Sequence, residues 1–69
     1  DLLLREAING YLRKLNAEKR MIFLRRYWYL DSIADISGRF SISESKVKTT
    51  LFRCRRDLRS YLEKEGYVL

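Results

Sequence analysis

Apolar residues recur three and four positions apart in four successive blocks, and this spacing predicts helices throughout. Leu4, Ala7, Ile8, Tyr11, Leu12 and Leu15 mark a first helix over about residues 2–14. Ile22, Phe23 and Tyr27, with Arg26 beside them, mark the inward side of a second helix over 17–29, while Leu24 and Trp28, four apart, form a separate outward ridge. Ile33, Ile36, Ser37 and Phe40 give the inner face of a short third helix over 33–40. Val47, Leu51, Cys54, Leu58, Tyr61 and Leu62 fall in one stripe of a long fourth helix over 44–65. The punctuation between the blocks agrees with this reading. Asn16 and Ser43 stand where an N-cap accepts an amide hydrogen bond. Ser32 followed by Asp35 resembles a capping box, and Ile42 with Val47 forms a hydrophobic staple. Gly66 suits the left-handed position after a helix, with Tyr67 folding back on the last turn. Gly10, inside the first helix, weakens it by about 1 kcal/mol relative to Ala.

The fourth helix has a second face. Ser45, Thr49, Phe52, Arg53 and Arg56 gather opposite the apolar stripe, and Lys48, Arg55 and Arg59 lie along a flank. Between residues 46 and 59 there are six Lys or Arg and one acid, Asp57. Cations track phosphate, short polar groups reach base edges and a phenyl ring can contact a thymine methyl. A short capped helix, a tight turn and a longer capped helix with a basic outer face make a helix-turn-helix, whose second helix enters the major groove N-terminal half first. Small Ser37 sits where the two helices cross, and small Ser41 sits in the turn. The fold class is therefore all-α: a four-helix domain, residues 1–69, ending in a helix-turn-helix with a long C-terminal recognition helix.

Composition narrows the function. A chain of 69 residues builds one modest core, without room for a deep catalytic cleft. Apolar content of 46% with no proline favours packed helices, and a net charge of +6 suits nucleic acid or an acidic surface. There is no histidine, no glycine-rich phosphate loop and no metal-ligand spacing, so neither an enzyme nor a cofactor is expected. The one cysteine, Cys54, lies in the apolar stripe and reads as a reduced core thiol of a cytoplasmic protein. No apolar run approaches the length of a membrane span. The chain begins with Asp and not Met, as an excised part of something longer would.

Several runs together resemble region 4 of sigma-70 family RNA polymerase sigma factors, with the extracytoplasmic-function group the nearest in pattern. They are Leu15-Asn16-Ala17-Glu18-Lys19-Arg20, Ile22-Phe23, Arg26-Tyr27, Ser32-Ile33-Ala34-Asp35-Ile36, Ile42-Ser43, Val47-Lys48 and Leu51-Phe52-Arg53-Cys54-Arg55. The resemblance spans about residues 12–65, and the run from Val47 to Arg55 is its most specific part. It implies a domain that recognises the minus-35 promoter element as double-stranded DNA. It also implies docking on the flap-tip helix of the RNA polymerase β subunit, and an anti-sigma factor that covers the domain. By position, Lys48, Thr49, Phe52 and Arg53 then face bases or adjacent phosphates, Ser45 and Lys46 contact backbone phosphate at the helix N-terminus, and Arg26 and Arg39 supply flanking phosphate contacts. Arg56 belongs to the same outer face, and Leu24 and Trp28 are the expected partner-binding pair.

The chain departs from the family pattern in places. Ser37 and Ser41 stand where Ala and Gly are frequent, so left-handed freedom at 41 is lost. Thr50 replaces a frequent Arg, and Asn16 a usual Pro. Nothing resembles region 2, which melts promoter DNA, so this chain alone is expected to bind a promoter half weakly and not to start transcription. Three other readings stay open. One is a LuxR-type response-regulator DNA-binding domain, which places a separate dimerisation helix after a break. Another is a protein-interaction helical module without DNA affinity. The third is a basic amphipathic helix lying on a membrane surface.

Overall fold

A computed structural model of the chain describes residues 2–67. Four helices follow in order: α1 (Leu2–Lys14), α2 (Ala17–Tyr27), α3 (Ile33–Phe40) and α4 (Glu44–Lys64). At 1.5 Å per residue the 21 residues of α4 span about 32 Å, close to the 36 Å long dimension of the molecule. The other three helices pack along α4, and α3 also packs on α2.

The caps form where the side chains predict them. The side-chain oxygens of Asn16, Ser32 and Ser43 accept from the amides of Lys19, Asp35 and Lys46 at 2.9–3.0 Å. Each satisfies one of the orphan donors at a helix start. At the far end Gly66 has φ +96°, its amide reaches the Glu63 carbonyl and the Tyr67 amide reaches that of Leu62. This is the paired hydrogen-bond pattern of a Schellman stop.

Three local expectations change. α2 ends at Tyr27, two residues earlier than its periodicity indicates. Leu30 adopts φ +61°, which no helix continues, and the Asp31 amide turns back to the Arg25 carbonyl at 2.8 Å. Tyr27 is half exposed instead of buried; its ring packs on Phe23 at 4.8 Å between centroids and its hydroxyl accepts from Arg55 Nη1 at 2.6 Å. Ser41 takes the left-handed conformation, φ 55° and ψ 44°, although it is not glycine. The amides of Ser41 and Ile42 both reach the Ser37 carbonyl, and the Ser37 hydroxyl donates to the Ile42 carbonyl. These bonds hold a turn that an L-residue otherwise resists by about 1–2 kcal/mol.

The core has two parts joined by α2 and α4. Ile22, Ile36, Val47 and Leu51 form one, with Ile33, Phe40 and Ile42 packed around them. Tyr11, Leu12, Phe23 and Cys54 form the other, with Ile8, Leu15, Leu24, Leu58 and Tyr61 around them. Neighbours Ile22 and Phe23 thus point into different clusters, because successive helical side chains diverge by about 100°. The first cluster locks α4 onto α3; each fully buried aliphatic there contributes about 1.5–3 kcal/mol. Arg20 ties α1 to α2 by donating to the carbonyls of Leu12 (3.0 Å) and Leu15 (2.8 Å), which closes the end of the first helix. Gly10 has a packing reason: a Cβ there would meet the Tyr61 hydroxyl at 2.9 Å.

Candidate nucleic-acid interface

α3 and α4, joined by the three-residue turn 41–43, form the crossing pair of a helix-turn-helix. Val47 and Leu51 are buried against Ile36 from the inner side of α4, and Cys54 and Leu62 continue that stripe. The rotation of α4 about its axis is thereby fixed. Its opposite side faces solvent: Ser45, Lys46, Lys48, Thr49, Phe52, Arg53 and Arg56 are all exposed. Phe52 keeps 56% of its surface accessible although Leu51 beside it keeps 2%. Every Lys and Arg between 46 and 59 is exposed. Asp57, exposed as well, lies 3.3 Å from Arg56 Nη2, so the outer face remains strongly cationic. Because the apolar stripe of α4 is covered by α1, α2 and α3, it is not left over to lie on a lipid surface.

Two flanking arginines have a second attachment. Arg26 is half buried and its Nη1 donates to the Asp31 carbonyl at 3.0 Å. Arg39 is exposed, with Nε 3.8 Å from Asp31 Oδ2. The same carboxylate oxygen receives Arg25 Nε at 2.7 Å, and the Arg25 guanidinium stacks 4.2 Å from the Tyr29 ring centroid. The convergence of these arginines on Asp31 was not visible in the chain, because it depends on the tight backbone turn at Leu30. The pairing of Arg55 with Tyr27 likewise joins residues far apart in sequence.

The expected partner pair splits. Trp28 is 77% exposed, whereas Leu24 is half buried beside Phe23. Both line a groove of about 330 Å³ between α1 and α2, with Leu4, Ile8, Leu12 and Phe23 along its floor and sides.

Cys54 is buried, and burial pushes its thiol pKa up. The Tyr11 hydroxyl, buried beside it, donates to the Cys54 carbonyl at 3.1 Å, and its pKa is also raised, first by burial and then by the nearby Cys54 and Asp57. A nucleophile is held in the thiolate form by cationic or polar surroundings, and this site does the reverse. Among the described residues no group of three or more His, Cys, Asp or Glu side chains is placed to hold a metal ion, and no helix is long and apolar enough to cross a membrane.

A short capped helix crossed by a longer one over a buried hydrophobic contact is a helix-turn-helix arrangement in an all-α domain. More particularly, residues 5–58 match the family described as sigma-70, region 4, and the chain belongs to that family. Its general role is thus in transcription, as a DNA-binding domain and not as an enzyme. Comparisons with curated proteins and with solved structures gave no match.

Proposed function

We propose that residues 1–69 act as one promoter-reading domain that lays α4 into the major groove of the minus-35 element. Lys48, Thr49, Phe52 and Arg53 meet base edges and the phosphates next to them. Ser45 and Lys46 meet backbone phosphate at the start of the helix, and Arg56, Arg39 and Arg26 extend the phosphate contacts to the flanks. The groove carrying Leu24 and Trp28 takes the flap-tip helix of the RNA polymerase β subunit, and an anti-sigma factor competes for the same surfaces. The observation that carries this reading is the division of α4: Val47 and Leu51 are sealed against α3 while Phe52 and Arg53, adjacent in sequence, are exposed. The uninterrupted course of α4 from Glu44 to Lys64 weighs against the response-regulator layout, in which a break precedes a dimerisation helix.

The test is titration of the 69-residue chain with a duplex selected by this chain from a randomised pool, over a range of salt. The expected result is one chain per site and a log–log salt slope of about −0.9 for each phosphate neutralised. Arg53→Ala should cost roughly 1–3 kcal/mol and relax preference at one base pair. No enriched sequence and no duplex affinity at low salt would leave the interaction module as the better reading.

A further inference from the structure

The turn between α2 and α3 holds a charge cluster in which two of the proposed phosphate contacts, Arg26 and Arg39, meet Asp31, a residue outside the DNA-contact assignment. Asp31 is engaged through its amide, its carbonyl and one carboxylate oxygen, Oδ2. Its amide donates to the Arg25 carbonyl, its carbonyl accepts from Arg26 Nη1, and its carboxylate receives Arg25 Nε at 2.7 Å. Arg39, from the middle of the helix-turn-helix, approaches the same oxygen at 3.8 Å. The carboxylate is only 15% exposed, whereas the Arg39 side chain is 54% exposed. Arg25 is therefore clamped between Asp31 and the Tyr29 ring, while Arg39 is held loosely at the rim. Asp35, in the first turn of α3, lines the same shallow depression with Gly38 and Ala34.

We infer that Asp31 is a specificity-determining positioning residue: it is an internal competitor for phosphate that restrains Arg39 until a correctly registered duplex draws it away, while Arg25 stays stacked on Tyr29. Phosphate contacts carry no sequence information of their own, so an unrestrained arginine strengthens binding to every duplex alike. A carboxylate that competes for that arginine lowers indiscriminate binding. It releases the guanidinium only where the other contacts of α4 already place a phosphate within reach. The exchange is electrostatically balanced, one anionic partner replacing another.

This inference rests on the promoter-reading proposal, and the experiment separates the two. Wild type, Asp31→Asn, Arg39→Gln and the double variant are titrated with the selected duplex and with the same duplex in shuffled sequence, with thermal melting of each protein alongside. For Asp31→Asn, one arginine freed for phosphate should raise affinity for the shuffled duplex about three- to tenfold and steepen its salt slope by about 0.9. Affinity for the selected duplex should change far less, so the specificity ratio falls. Adding Arg39→Gln should abolish the gain. Equal loss of affinity for both duplexes with a lowered melting temperature would mean that Asp31 merely supports the fold, and would overturn the inference. So would an unchanged ratio in a protein that melts like wild type, while the wild-type binding stays intact. Absence of wild-type duplex binding would instead remove the promoter reading, and this inference with it.

Discussion

Phe52 offers the sharpest separation of binding from folding, because its neighbour Leu51 serves as an internal control. In Phe52→Ala the lost surface is modest, since a little under half of the residue is covered in the fold. A fully buried aromatic removes about 150–250 Å² from water. Less than half of that, at about 25 cal/mol per Å², gives an upper bound of roughly 2 kcal/mol. Part of this contact is with the residue's own helix and persists in a compact unfolded chain. Alanine also has the better helix propensity, by about half a kcal/mol. The net cost to stability is therefore about 1 kcal/mol or less, a fall of roughly 4–8 °C at most in a chain of this size. Leu51→Ala instead empties a site 2% exposed in the cluster that fixes α4 on α3. It should cost about 2–5 kcal/mol, a large share of the roughly 3–10 kcal/mol that a chain this long has in total. On DNA the order reverses for the folded proteins. If the ring covers about 50 Å² against a thymine methyl and sugar, its loss is worth about 1.3 kcal/mol, close to tenfold in affinity. Thermal melting and duplex titration on the same samples read both effects. A Phe52→Ala protein that loses several kcal/mol of stability yet binds DNA unchanged would refute the assignment of this ring to the interface.

Two further outcomes concern the fold. Ser41→Gly should stabilise the protein by up to about 1 kcal/mol, read by thermal melting, because glycine adopts the left-handed conformation without the Cβ clash; a lower melting temperature would show that the serine side chain supports the turn. Stability should also fall in alkali. The pKa values of both Cys54 and Tyr11 are raised in the folded state, so the protonated forms stabilise the fold fully below their unfolded values. That contribution declines as pH rises above roughly 8.5, where the unfolded thiol ionises, and further above about 10 for the phenol. Melting between pH 7 and 10.5, with Cys54→Ser as control, checks this: a flat profile would contradict it, and slow labelling of Cys54 by a thiol reagent is expected in the native protein.

What the chain itself determined is local and periodic. The apolar spacing set four helices, and Asn16, Ser32 and Ser43 set where three of them start, because a cap depends on a side chain reaching an amide only three residues away. The same periodicity assigned the two sides of α4, since the angle between residues on a helix is fixed by its own geometry. What only the tertiary structure decided depends on partners distant in sequence or on a turn. The end of α2 was set by the backbone at Leu30 and by the arginine contacts of Asp31, not by hydrophobic pattern. The helix-forming cost of Gly10 was legible, but its reason, the Tyr61 hydroxyl, lies 51 positions away. Ser41 was expected to lack left-handed freedom, yet hydrogen bonds to Ser37 hold it there. Periodicity reports which way a side chain points, and only the packed chain decides what it meets.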